Sequence, residues 1–168
     1  EKDTEEAFRE FEGPDDKVKS FYADSAGELK AAAKAMKWPN PTSTPGDHKT
    51  NGLIERVVRK TKERGRANLS QSGLATTWWP FAVEHGCGSH NLHIVNDSSP
   101  YKKRHGEHCK AEQLAFGQRC EYLPTPTAAK TLGFEAKTRT GLFLCWCFHP
   151  GGKWSGDYWI VDFEHLQN

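Results

Sequence analysis

The spacing of hydrophobic residues changes along this chain, and that change constrains the fold most. Up to about residue 95 the apolar residues recur at three- and four-residue intervals, as in amphipathic helices. From about residue 113 they form short β-rich runs, "QRCEYLP", "TGLFLCWCFH" and "DYWIVDF". The sequence therefore predicts an α/β chain with a mainly helical part (1–95), a polar connector (96–112) that includes "SSPYKKRHGEH", and a small β module (113–168).

Three patterns precede the first long loop. The stretch "EEAFREFEG" has the spacing of a helix that ends at Gly13-Pro14. The stretch "KVKSFYAD" alternates in the manner of a short strand, which would finish at Asp24. The stretch "SAGELKAAAKAMKW" again has helical spacing. Prolines and glycines in "PNPTSTPGDHKTNG" then predict a loop.

Two further helices are predicted after that loop. The first runs from about Gly52 to Leu69, and the second begins near Thr77, with Pro80 in its first turn. "PGGKWSG" joins the last two β-rich runs, which predicts a hairpin with a long turn. The 52–69 helix is expected to bury one apolar stripe, consisting of Leu53, Ile54, Val57 and Val58, with Thr61 at its end.

Charge is segregated along the chain. Residues 1–28 contain ten acidic and four basic side chains, whereas residues 49–66 contain seven basic and two acidic ones. The net charge of +1 conceals this division. Because local fields govern the attraction of a polyanion, residues 49–66 are the candidate surface for one.

Composition narrows the class of protein further. Six Trp and nine Phe supply bulky core material although only 36% of the residues are hydrophobic. No apolar run has the length of a membrane span, so no membrane partner is expected. The five cysteines are irregularly spaced, which indicates a reducing compartment rather than a disulfide framework.

One face of the 52–69 helix combines a carboxylate with basic side chains. Glu55, Arg59, Lys62 and Arg66 stand at i, i+4, i+7 and i+11, which places them on one side of an α-helix. Asp24, at the end of the predicted strand, and Glu55, in a first helical turn, could converge as ligands for Mg²⁺ or Mn²⁺. The alternative is an ordinary solvated Glu55–Arg59 pair, with Asp24 as a turn or cap residue.

Several sequence motifs of the chain resemble those of a known family. The runs "DSAGEL", "TSTPGDHKTNGLIERVVRKTKERGRANLSQSGL" and "WWPFAVEH" resemble the integrase core of copia-type retrotransposons, within the retroviral-integrase superfamily. The runs "AFGQRCEYLP", "TGLFLCW" and "GGKWSGDYWIV" resemble the small β module that follows that core. The resemblance implies a partial ribonuclease-H-like core followed by an SH3-like module.

The resemblance also implies a site. Asp24 matches the second and Glu55 the third catalytic carboxylate, and both would bind Mg²⁺ or Mn²⁺ for phosphodiester cleavage and strand transfer. The partners implied are element-end and target DNA in the nucleus, with oligomerisation in the intact parent protein. The implied DNA-binding residues are Lys49, Asn51, Arg59, Lys62 and Arg66.

The first catalytic Asp of the family has no match in this sequence. Asp3, Asp15 and Asp16 do not follow a hydrophobic strand, so we expect that residue, and the family's zinc-binding module, to lie upstream of Glu1. The chain alone is therefore expected to be inactive in strand transfer. The alternative is a non-catalytic remnant that binds nucleic acid through residues 49–66.

A cluster of histidines and cysteines gives a third hypothesis, a zinc-dependent interaction module. Its spacing lacks the two tight pairs of a typical zinc site, so scattered surface histidines are the competing interpretation. The metal-capable residues are His85, Cys87, His90, His93, His105, His108 and Cys109.

Overall fold

The computed structural model describes residues 2–23, 26–40, 52–125 and 137–166. These residues form helices and a three-stranded antiparallel sheet, which confirms that the chain combines α and β elements. No described helix is long and apolar enough to span a membrane. The helices are α1 (Lys2–Glu12), α2 (Gly27–Ala35), α3 (Gly52–Ser72), α4 (Trp79–Leu92) and α5 (Pro100–His105), and the strands are β1 (Arg119–Tyr122), β2 (Arg139–Phe148) and β3 (Trp154–Asp162).

The chain divides into two compact units. Unit 1 comprises residues 1–60 and 148–155, and unit 2 comprises residues 61–147 and 156–168. Both units are discontinuous in sequence, because the turn between β2 and β3 belongs to unit 1 while most of both strands belongs to unit 2. The boundaries predicted at residues 95 and 112 remain a prediction.

Unit 1 is organised around three aromatic side chains. The Phe8 ring stacks on Trp38 and meets Phe21 edge-on, both with ring centroids 4.8 Å apart. Ala32 and Ala33 of α2 are fully buried. The predicted helices α1 and α2 are confirmed. α1 contributes Phe8 to the aromatic cluster, and α2 packs against α1.

The predicted strand before Asp24 is wrong for the residues described, 18–23. The Glu12 carboxylate accepts hydrogen bonds from the Val18 backbone N–H and from Trp38 Nε1, each 3.1 Å long. The Phe21 N–H donates to the Pro39 carbonyl over 2.8 Å. These backbone donors are therefore satisfied by a side chain and a loop, and the alternating pattern does not form a sheet strand.

In unit 2, α3 and α4 approach each other closely at glycines. A Cβ atom added at Gly65 of α3 would lie 2.7 Å from Val83 Cγ2, and one added at Gly86 of α4 would lie 2.9 Å from Arg64 Cβ. Asn68 donates from Nδ2 to the Ala82 carbonyl over 2.8 Å. The helix predicted from Thr77 is confirmed, and it continues through "HGCGSHNL" to Leu92.

The β strands predicted in the second part are confirmed, as is the hairpin between β2 and β3. The sheet order is β1-β2-β3, and β1 pairs with β2 antiparallel, with Cys120 opposite Gly141. Phe143 and Trp146 of β2 are among the largest fully buried side chains. A buried cluster of unit 2 joins α4 to the sheet through Ala82, Phe116, Leu144 and Cys145.

The stretch interpreted as a polar connector contains a short helix, α5. The Ser99 side chain accepts the Lys102 N–H over 3.0 Å as its N-cap, and Gly106 ends it in the left-handed region at φ 80°. Pro100 occupies the first turn. A six-residue helix is too short to show a hydrophobic period, so these end signals were the only evidence available in the sequence.

The expected burial along α3 is also wrong. Ile54, Val57 and Val58 are 58%, 50% and 45% exposed, while the side chain of Leu53 lies outside the described part of the chain. The buried side of α3 is found further along, at Gly65. The periodicity identified the helix correctly, but no described element covers this part of it.

Candidate nucleic-acid interface

The candidate interface is one side of α3, a 21-residue helix. Glu55 lies in its first turn, and Glu55, Arg59, Lys62 and Arg66 are all exposed. At 100° per residue these four positions fall within an arc of about 60°. We call Arg59, Lys62 and Arg66 the basic face of α3, with Glu55 at its N-terminal end.

The dimensions of the basic face suit a nucleic-acid backbone. At 1.5 Å per residue, Glu55 and Arg66 are about 16 Å apart along the helix axis. Phosphates of one DNA strand advance by about 3.4 Å per step along the duplex axis, so the face matches a few consecutive phosphates. Arg56 and Lys60 add exposed positive charge on the same helix. The local field is therefore positive although the whole chain is nearly neutral.

The remaining predicted site residues lie outside the described part of the chain. They are Asp24, Lys49 and Asn51. Their positions relative to α3, and the convergence of Asp24 with Glu55, stay predictions. Glu55 itself lies where the N-terminal partial charge of the helix favours an anion. Within residues 2–23, 26–40, 52–125 and 137–166 no three His, Cys, Asp or Glu side chains converge to hold a metal.

His85 is a core residue, so the interpretation of scattered surface histidines is wrong for it. Its Nε2 lies 2.9 Å from the Leu114 carbonyl and must donate to it, since a carbonyl only accepts. Its Nδ1 then accepts from Asn68 Nδ2 at 3.1 Å. The ring stacks on Trp146 at 5.0 Å, and burial lowers the pKa of His85 below its usual 6.5. His85 is thus a neutral imidazole that joins α3, α4 and the chain before β1.

The sequence contained a signal for His85. Ala82, His85 and Gly86 share one side of α4 at i, i+3 and i+4, and all three are buried. A histidine on the buried side of a helix is expected to be hydrogen-bonded there. The hypothesis of a zinc site included His85 for its metal-binding imidazole and not for its position on the helix.

A second group of charged side chains surrounds a tight turn. Asp97, at φ 56°, contacts Lys102 Nζ at 3.2 Å and His108 Nε2 at 3.3 Å. The hydrogen bond from Lys102 lowers the pKa of the Asp97 carboxyl most, and the hydrogen bond from His108 lowers it further. His105 packs against Tyr101 with centroids 4.4 Å apart. This is a surface ion cluster that fixes the turn before α5.

No protein-family profile, characterised protein or solved structure matches this chain. The integrase assignment therefore stays a prediction that depends on the residues quoted above. The feature of the described structure that bears on function most directly is the exposed basic face of α3.

Proposed function

We propose that this chain belongs to the core of a copia-type retrotransposon integrase and that α3 binds DNA. The quoted sequence motifs support the family, and the observation that carries DNA binding is the exposed row of Arg59, Lys62 and Arg66 with Glu55 at its head. On this proposal the helical part is a partial ribonuclease-H-like core, the sheet belongs to an SH3-like module, and the protein acts on nuclear DNA.

The basic face would bind the phosphate backbone independently of base sequence. Each basic side chain that neutralises a phosphate releases condensed counterions, so affinity falls as salt rises. Three such contacts give a slope of log K against log salt of about −2.7 for duplex DNA. Arg59 and Arg66 can also bind a phosphate through two nitrogens, which fixes the register of the backbone on the helix.

Glu55 and Asp24 would be two of the carboxylates that hold Mg²⁺ or Mn²⁺. When bound, such metals would supply the Lewis-acid activation of a water, and then of a DNA 3′-hydroxyl, for attack on a phosphodiester. The described residues do not by themselves complete a metal site. Because no residue of the sequence matches the family's first Asp, we expect binding without strand transfer from this chain.

DNA binding is tested by fluorescence anisotropy of a labelled duplex between about 50 and 200 mM salt. The variant Arg59→Gln, Lys62→Gln, Arg66→Gln should bind more weakly and reduce the salt slope by about 2.7. The matched control removes three exposed lysines from other segments, Lys103→Gln, Lys110→Gln, Lys153→Gln. An equal loss in both triple variants would show that binding is diffuse and not centred on α3.

Non-catalytic DNA binding is the second candidate function. It is favoured by the exposed position of the basic face, which requires no metal. The test incubates the chain with Mn²⁺ and element-end DNA, and we expect no joined product. Strand transfer that disappears in Glu55→Gln would contradict this expectation and show that the chain is a complete enzyme.

A further inference from the structure

Unit 2 contains a cleft that the DNA-binding proposal does not use. Its volume is about 800 Å³, and its lining comes from the end of β1, from β3 and from the segment before β1. It is rich in aromatic and apolar groups, including Tyr122, Tyr158 and Trp159. Trp159 is 53% exposed, and Leu123, which directly follows β1, is 72% exposed. We call this the β cleft.

The charged side chains of the β cleft are mainly acidic. Glu112, Glu121 and Asp157 line it and are exposed. The sign of this surface is therefore opposite to that of the basic face of α3. A polyanion would be repelled here, whereas Lys and Arg side chains would be attracted.

A fourth carboxylate of the β cleft, that of Asp162, is already hydrogen-bonded and ion-paired within the protein. Asp162 is buried, accepts a hydrogen bond from the Tyr122 hydroxyl over 3.0 Å, and lies 3.4 Å from Arg139 Nη1. Burial first, and then the hydrogen bond to Asp162, raises the pKa of Tyr122. Since Arg139 contacts Asp162, its positive charge is locally offset and does not cancel the three exposed carboxylates.

We propose that the β cleft binds an extended basic segment of a protein partner. Aromatic rings attract ammonium and guanidinium groups through their π faces, and nearby carboxylates add to that attraction. Apolar side chains of the same segment would contact Leu123 and Trp159. β3 is at the edge of the β1-β2-β3 sheet, so a partner could lie along it in an extended form. The proposal does not depend on DNA binding by α3.

The test uses the full chain and a fluorescein-labelled peptide in which Lys and Arg alternate with Val. Anisotropy should show saturable binding to the chain. The variant Glu121→Gln, Asp157→Asn should bind about three- to tenfold more weakly, the effect of two partly screened ion pairs. Gln at position 121 retains an oxygen that can accept the Thr140 hydroxyl, so the fold should be preserved. Trp159→Ala should also weaken binding.

The matched control is Glu63→Gln, Glu107→Gln, which removes two exposed carboxylates of unit 2 outside the β cleft. The proposal is overturned when the peptide does not bind, when both double variants weaken binding equally, or when a peptide with Glu in place of Lys and Arg binds as well. Sedimentation as a dimer that is lost in Glu121→Gln, Asp157→Asn would instead assign the cleft to a second copy. The α3 triple variant leaves the cleft unchanged, so a failure of one proposal does not affect the other.

Discussion

At the scale of single residues, His85 shows how burial determines protonation. Its two ring nitrogens have different partners, a carbonyl at Nε2 and an amide nitrogen at Nδ1. Both partners can be satisfied only by the neutral ring, because a protonated Nδ1 would face the Asn68 amide N–H. Burial disfavours the charged ring as well and lowers the pKa of His85, against the smaller raising effect of the hydrogen bond to the Leu114 carbonyl.

We therefore predict that the free energy of unfolding falls as the pH drops below about 6.5. Above that pH both folded and unfolded states hold His85 neutral, so its contribution is complete. Below it the unfolded state takes up a proton that the folded state resists, and stability is lost. Urea unfolding between about pH 7 and 5, a range above the usual carboxylate pKa values, measures this slope.

The His85→Gln variant should flatten that slope and cost about 1–3 kcal/mol at neutral pH, because a buried hydrogen-bond arrangement is disturbed. His93→Gln is the control, since His93 is exposed at the end of α4. A wild-type slope that persists in His85→Gln would show that other groups cause the pH dependence.

At the scale of elements, the sequence predicted the helices and the hairpin better than it predicted which other segments cover them. The spacing of apolar residues was sufficient for α1 to α4, and β-rich runs joined by the turn residues "PGGKWSG" were sufficient for the β2–β3 hairpin. The helix period also placed Glu55 and the basic face on one side of α3. Alternation failed at residues 18–23, because a strand also needs a neighbour that a local pattern does not specify. The exposure of Ile54 could not be predicted either, since burial depends on which distant segment covers the helix.

The close approach of α3 and α4 leads to a packing prediction. Gly65→Ala should destabilise unit 2 by about 1–3 kcal/mol, although alanine favours an isolated helix by about 1 kcal/mol. The added methyl group would meet Val83 Cγ2 at 2.7 Å, and the branched valine side chain has little freedom to move. Chemical denaturation of the variant measures the loss.

The double variant Gly65→Ala, Val83→Ala should recover part of that loss, because the clashing methyl group has been removed. The loss of unfolding free energy in the double variant should be smaller than the sum of the losses in the two single variants. Such non-additivity is the signature of a direct contact. Strict additivity would mean that the helices separate here at no cost. Gly52→Ala is a useful comparison on the same helix, since no residue in the described part of the chain lies within 4 Å of its added Cβ.

The exposed stripe of α3 gives a second prediction at this scale. Val57→Gln and Val58→Gln should each change the free energy of unfolding by less than about 0.5 kcal/mol, as expected for surface positions. Leu144→Ala, in the buried cluster of unit 2, should cost about 2–5 kcal/mol. Thermal unfolding of the three variants compares them. A large loss in Val57→Gln would mean that this part of α3 is covered in solution.

At the scale of the whole molecule, distant segments complete each unit. In unit 1 a Cβ atom at Gly13 would lie 2.5 Å from Gly151 Cα, so the end of α1 fits closely against the β2–β3 turn. The Gly151 N–H also donates to the Glu10 carbonyl over 2.6 Å. These contacts join residues that are far apart in the sequence, and no local pattern indicated them. Folding of each unit therefore requires long-range contacts to form together.

The five cysteines allow this cooperativity to be measured. All are free thiols, and Cys145 is 1% exposed whereas Cys109 is half-buried. Burial, followed by the nearby Glu84 carboxylate, raises the pKa of Cys145 far above its usual value, and only the thiolate reacts. We predict that iodoacetamide modifies Cys109 in the native protein while Cys145 reacts only when unit 2 unfolds.

Peptide mapping by mass spectrometry after timed alkylation distinguishes global unfolding from local opening at Cys145. If Cys145 reacts through global unfolding, its rate follows the unfolded population and should rise about 30-fold or more in Leu144→Ala, given a loss of at least about 2 kcal/mol. The alkylation rate of Cys109 should change little, because that thiol reacts without unfolding of the protein. A Cys145 rate that is insensitive to Leu144→Ala would mean that β2 opens locally, without unfolding of the cluster formed by Ala82, Phe116 and Leu144.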